Sequence, residues 1–128
     1  MKAYTDIEQS RKLAEILSPE SADMYWDYDI QKHEYYPMVM DDQFDDTCIR
    51  AWSLAGLLDV LPLRIYDEFD DRDYELEVDM IDKMPRYVRL GDIYHSQFPY
   101  DFEKDTLLDN IVESIVWLNN NNNHGICL

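Results

Sequence analysis

Between Asp73 and Met80 the chain alternates strictly. Tyr74, Leu76, Val78 and Met80 are apolar, while Asp73, Glu75, Glu77 and Asp79 are acidic. A period of two puts each set on its own side of a pleated strand, whereas a helix would scatter the acids around its circumference. Lys83 to Pro85 reads as the following turn. Arg86 to Leu90 reads as a partner strand that brings Arg86 and Arg89 toward the acidic row. An earlier stretch has the same period: Ala22, Met24, Trp26, Tyr28 and Ile30 alternate with Asp23, Tyr25, Asp27 and Asp29. This predicts a strand with an apolar inner side and an acidic outer side, on which Tyr25 is an exposed contact. After a turn at Gln31 to His33, Glu34 to Met40 reads as the return strand. Pro37 cannot donate to a ladder, which places this strand at an edge or a bulge.

Three segments carry helical spacing instead. Thr5-Asp6-Ile7-Glu8 fits a capping box, with Thr5 as the cap, and opens a helix over about Asp6 to Leu17 that Pro19 closes. Cys48 to Trp52 reads as a short strand entering a second helix capped by Ser53. Trp52 and Leu57 stand at the spacing of a hydrophobic staple, and Leu54, Leu57, Leu58 and Leu61 form the buried stripe before Pro62. Gly56 inside that helix costs about 1 kcal/mol relative to Ala, which predicts a neighbour packed tightly against it. The third helix runs from about Thr106 to Asn119, with Thr106 and Asp109 at capping-box positions. Gly91 to Tyr100 reads as an irregular connection, and no internal repeat is evident.

The resulting order is α-β-β-α-β-β-α. It predicts an α+β domain of two layers, a mainly antiparallel sheet of about four strands covered by helices. Residues 1–119 form one domain in this reading, and 120–128 an Asn-rich flexible tail.

Charge narrows the range of partners. The 128 residues include 28 acids against 11 Lys and Arg, a formal net charge of -17. Such a surface repels nucleic acid and anionic lipid, and no basic stripe offsets it, so neither direct nucleic-acid binding nor membrane binding is expected. A basic protein surface is the partner the charge fits. Cys48 and Cys127 make neither a disulfide framework nor a C-x-x-C pair. With no signal-peptide pattern and no apolar run long enough to span a bilayer, a reducing cytoplasmic setting is expected.

Asp73, Glu75, Glu77 and Asp79 are the leading candidate contact residues, with Asp23, Asp27, Asp29 and Tyr25 as a second row if both strands share a sheet. Two plainer or sharper readings flank this one: a solvated face that keeps sheet edges apart, and a charge ladder that imitates DNA phosphates. Asp41, Asp42, Asp45 and Asp46, and the acids from Asp67 to Asp73, are dense enough in oxygen to suggest a divalent cation and a small hydrolytic or metal-dependent enzyme. Their spacing fits no EF-hand, and His33, His95 and His124 are too scattered for zinc. No catalytic, cofactor or metal residue is therefore assigned. A structural, self-assembling component using the Pro37-bearing edge or the C-terminal helix is a third possibility.

The stretch Trp52-Ser53-Leu54 followed by Leu57-Leu58-Asp59-Val60-Leu61-Pro62, with Glu20 to Tyr25 and the two terminal helices, resembles a family of small acidic proteins of gut anaerobic bacteria and of their phages and mobile elements. That family carries no assigned activity, so the resemblance implies no activity and transfers no site residues.

Overall fold

A computed structural model describes residues 1–67, 72–89, 96–98 and 104–120. The first helix, α1, spans Ile7–Ala14, one turn shorter than the apolar spacing suggests. Its cap is Asp6, not Thr5. The Asp6 carboxylate accepts from Gln9 N at 2.8 Å, and Gln9 Oε1 accepts from Asp6 N at 3.1 Å. Thr5 is unavailable because it is completely buried, with its hydroxyl 2.7 Å from that of Ser10 and accepting from Trp52 N at 3.1 Å. A tertiary contact thus moves the cap by one residue.

After a short 3-10 turn at Pro19–Ser21, β1 (Met24–Asp29) and β2 (Glu34–Val39) form a hairpin, and β3 (Ile49–Ala51) pairs with the other side of β1. The order β2-β1-β3 leaves β2 at an edge, as Pro37 requires. Met40 N donates to Asp23 O, so the hydrogen-bonded pairs fall on odd residues of β1. Pro37, opposite Trp26, then turns its missing N–H away from β1 and interrupts the free edge.

The α2 helix (Leu54–Val60) begins at Ser53, whose hydroxyl accepts from Gly56 N at 3.0 Å. Beyond it, β4 (Arg64–Asp67), β5 (Arg72–Asp79), β6 (Met84–Arg89) and β7 (Ser96–Phe98) make a second antiparallel sheet in that order. The last helix, α3, covers Leu107–Asn120, and Thr106 Oγ1 accepts from Asp109 N at 3.1 Å as the sequence predicts.

The class is α+β, but the expected single sheet of about four strands is corrected. The described residues form two antiparallel sheets, and β4 and β7 add strands where none was expected. Arg64–Asp67 is too short to show a period, and β7 lies inside the stretch read as irregular. The turn at Lys83 to Pro85 is also corrected. Asp79 Oδ1 accepts from Ile81 N at 2.9 Å and Asp82 N at 3.0 Å, which ends β5 early and leaves Pro85 inside β6. Asp29 Oδ1 does the same for Gln31 N and Lys32 N at 2.9 and 3.2 Å. Each four-residue loop closes with a residue in the left-handed region, His33 (φ 54) and Lys83 (φ 57). Two hairpins of unrelated sequence therefore turn by one device, a side-chain carboxylate substituting for a backbone acceptor. The tail beyond Asn120 lies outside the described residues.

The main core gathers Leu13, Leu17, Trp52, Leu57 and Leu61 with Ile65, Tyr74 and Tyr87 of the second sheet and the apolar stripe of α3. Asn110, only 1% exposed, donates from Nδ2 to Lys83 O at 2.6 Å, so α3 holds the second hairpin by its turn. The Tyr87 hydroxyl donates to Pro62 O at 2.7 Å, and burial pushes its phenol pKa up.

Asp23 fixes the first sheet to α2. Its carboxylate accepts from Ser53 N at 2.8 Å and from the Ser53 hydroxyl, and it lies against Gly56. A Cβ on Gly56 would stand 2.7 Å from Asp23 Oδ1, which is the tight neighbour the sequence anticipates. Alanine there gains about 1 kcal/mol of helix propensity and must displace a hydrogen-bonded carboxylate. Overpacking of that kind costs about 1–3 kcal/mol. Gly56→Ala is expected to lower stability by up to about 2 kcal/mol in urea unfolding. The same change in an Asp23→Ala background should be neutral or stabilising, because the obstructing carboxylate is gone. A penalty that persists in the double variant would show that the Asp23 contact is not its source.

Candidate functional site

On β5 the alternation read from the sequence holds over most of its length. Tyr74 is buried at 3% exposure, Leu76 and Val78 are half-buried, and Asp73, Glu75 and Glu77 are exposed on the opposite side. Met80 breaks the row: it belongs to the turn and is 62% exposed. Carboxylates two residues apart on such a strand stand about 6.6 Å apart.

Two arginines interrupt this row. Arg86 reaches Asp79 and Asp82 at 3.0 Å each, and Arg64 on β4 lies 3.7 Å from Glu75. Hydrogen bonds from the backbone of Asp82 outweigh the opposing effect of desolvation. With those from Ile81 and the charge of Arg86, they hold the Asp79 carboxyl below the ordinary Asp range. Asp79 is therefore a structural carboxylate, committed to its turn and to β6. Among the described residues no ion pair reaches Asp73 or Glu77. These two, with the weakly paired Glu75, are the carboxylates left open to a partner.

The second proposed row is corrected. β1 lies in the other sheet, so Asp23, Asp27 and Asp29 do not extend the β5 row. Each is committed locally: Asp23 to Ser53, Asp27 to the Tyr36 hydroxyl at 3.0 Å, and Asp29 to its turn. Tyr25, expected to be exposed, has no exposed surface. The residues between β2 and β3 fold over it. Its hydroxyl donates to Asp41 at 2.6 Å, which raises the phenol pKa, and Phe44 packs edge-on with ring centroids 5.5 Å apart. Arg50 then caps Phe44, its guanidinium carbon 4.6 Å from the ring centroid.

The other side of the hairpin, taken from the sequence as the inner side, is only partly covered. Tyr4 packs on Trp26 with centroids 5.7 Å apart, and Trp26 Nε1 donates to Thr5 O at 3.1 Å. Beyond that contact Tyr28 is 41%, Val39 71% and Ile30 77% exposed. Both sides of β1 carry large apolar residues once Tyr25 is counted. The period of two was correct, but it could not show which side the connecting segment would cover.

The acidic loops have other uses than a cation. Asp41 accepts from Tyr25 and from Gln43 N at 3.0 Å. Asp45 accepts from Thr47 N at 2.8 Å and from the Thr47 hydroxyl, and the latter bond comes first in holding its carboxyl below the ordinary range. Among the described residues no group of three or more His, Cys, Asp or Glu side chains is placed to hold a metal ion. Much of the acidic stretch from Asp67 to Asp73, residues 68–71, lies outside the described residues. A groove of about 650 Å³ between the 3-10 turn and α2 has Glu20, Asp23 and Asp59 along it. Burial keeps the Cys48 thiol pKa up, between Asp27 and Asp45. Among the described residues no helix is long and apolar enough to cross a membrane.

Replacing a structural carboxylate and an open one should give different results. Asp79→Ala is expected to lower the urea midpoint clearly, while Glu77→Ala leaves it nearly unchanged. The folded-state pKa of Asp79 is depressed, so its contribution is complete above the unfolded value of about 3.9 and disappears as pH falls through the lower folded value. Unfolding curves of Asp79→Ala and the parent chain should therefore converge in acid. Equal losses for Asp79 and Glu77 at neutral pH would contradict this division of roles. Comparison with protein-family models, with curated proteins and with solved structures finds no match to the chain.

Proposed function

We propose that the chain is a non-enzymatic interaction protein that docks the solvent side of β5 onto a basic surface of another protein. The observation that carries this reading is the exposed trio Asp73, Glu75 and Glu77 on a chain of net charge -17. Regularly spaced charge on a strand held rigid by neighbours on both sides presents a fixed pattern at little entropic cost. The interruption by Arg64 and Arg86 favours a protein surface of mixed charge over imitation of an unbroken phosphate backbone. The resemblance of the Trp52 to Pro62 stretch to proteins of phages and mobile elements supports an accessory factor acting on a host protein in the cytoplasm. The alternatives of a cation-dependent enzyme and of a self-assembling component have less support. Of the loop carboxylates, Asp41 and Asp45 are engaged by turn backbone, and Pro37 interrupts the free edge of β2.

Affinity capture at low and at high salt, with the native chain and with a Glu75→Lys/Glu77→Lys variant, tests the proposal. The native chain should retain a basic protein at low salt only. The variant should associate with it roughly tenfold more slowly, because steering by complementary potential acts mainly on the on-rate. An association rate unchanged by charge reversal removes the β5 face from the interaction.

A further inference from the structure

The partly covered side of the β1–β2 hairpin has a chemistry of its own, distinct from that of the acidic row. The register stacks three apolar cross-strand pairs on it: Met24 with Val39, Trp26 with Pro37, and Tyr28 with Tyr35. All six are at least partly exposed, and Val39 and Tyr28 most of all. The Tyr28 and Tyr35 rings meet edge-on, centroids 5.0 Å apart, so they stand on the sheet as ridges. No hydrogen bond among the described residues engages either hydroxyl, in contrast to Tyr25 and Tyr36.

We propose that this face binds a proline-rich segment of a partner protein in the polyproline II conformation, with Arg or Lys flanking the prolines. The pairs repeat about every 6.6 Å along the strands. A polyproline II chain advances about 3.1 Å per residue, so successive dipeptides, about 6.2 Å apart, match the rows. A helical turn of about 5.4 Å matches them less well. Polyproline II carbonyls have no partners of their own, and the two tyrosine hydroxyls are donors available to them. Proline rings against aromatic faces and Pro37 bury apolar surface with little entropy left to lose.

Charge selects the flanks and argues against a second copy. Residues 23–42 carry six acids (Asp23, Asp27, Asp29, Glu34, Asp41, Asp42) against Lys32, a difference of five negative charges. Two such hairpins face to face would repel each other, whereas a cationic segment is attracted. A partner strand added at the free edge of β2 would meet the interruption at Pro37, so the face is the better docking surface.

The test is a nitrogen-15 NMR titration of the full chain with an Arg-flanked peptide of about eight prolines. Three control peptides replace the prolines by glycine, the arginines by glutamate, or the whole by a Lys/Leu amphipathic helix of equal charge. Saturable shifts confined to β1, β2 and their turn are expected, with both proline and arginine controls binding at least roughly tenfold more weakly. Tyr28→Ala and Val39→Asp should each weaken the peptide roughly tenfold. Tyr28→Phe keeps the ring and the fold, and should weaken it by about twofold to fivefold through the lost hydroxyl. Glu75→Lys/Glu77→Lys should change affinity by less than about twofold, so the hairpin site and the β5 site succeed or fail separately. Equal binding of the glycine peptide, tighter binding of the amphipathic helix, or shifts centred on β5 would each overturn the proposal.

Discussion

Thr5, Trp52, Ser53 and Asp23 meet at one place, and the seating of the first sheet beside α1 and α2 depends on it. Thr5 N donates to Trp52 O and Thr5 Oγ1 accepts from Trp52 N, so the start of the chain is joined to the end of β3 by both backbone and side chain. One residue on, Ser53 caps α2 while donating to Asp23 at the entrance of β1. The Trp52 side chain is wholly buried in the main core, and its indole N–H donates to Ser21 at 3.0 Å. Buried polar groups this closely matched are costly to unpair, because each lost partner leaves a desolvated donor or acceptor. The first sheet therefore sits against the helices at a fixed place even though it contributes little to the main core.

That arrangement explains why the hairpin is open on one side. The second sheet lies against the main core, with α3 fixed to its turn through Asn110 and Lys83, so its inner side is closed and its outer side carries the exposed Asp73, Glu75 and Glu77. The first sheet is anchored at one end, by Asp23, Tyr4 and Thr5, and its turn residue Ile30 is 77% exposed. The segment between β2 and β3 covers the Tyr25 side, next to that anchored end, through Phe44 and Arg50. One covering segment and two apolar sides leave one of them exposed.

The sequence revealed what local chemistry decides. The β5 alternation, the Ser53 cap, the Thr106 cap, the edge role of Pro37 and the crowding at Gly56 all follow from spacing or from a single residue's stereochemistry. It did not reveal what distant partners decide. Thr5 looked like a cap and is a buried tertiary contact. Tyr25 looked exposed because its neighbours are acids, but those acids are used by Ser53, Tyr36 and a turn rather than by solvent. Asn110 and Ser114 interrupt nothing in the α3 stripe, yet both are buried and bonded, and no periodicity announces a buried amide. The split into two sheets was equally hidden, since β4 and β7 are too short for a period and matter only through the strands they border.

The two open surfaces differ in the physics they offer a partner. Exposed carboxylates on β5 act at a range set by the Debye length, about 8 Å at physiological ionic strength, and influence how fast a cationic surface arrives. Aromatic ridges on the hairpin act only at contact, and influence how long an apolar segment stays. The same net charge acts on both, attracting cationic chains in general, so attraction alone cannot discriminate among them. If both proposed surfaces bind, discrimination requires shape, and the fixed spacing of Trp26, Tyr28, Tyr35 and Pro37 would supply it where a flat acidic row would not. A protein that used only the row would bind many basic partners weakly. One that also used the ridges would select among them by the sequence between the basic residues.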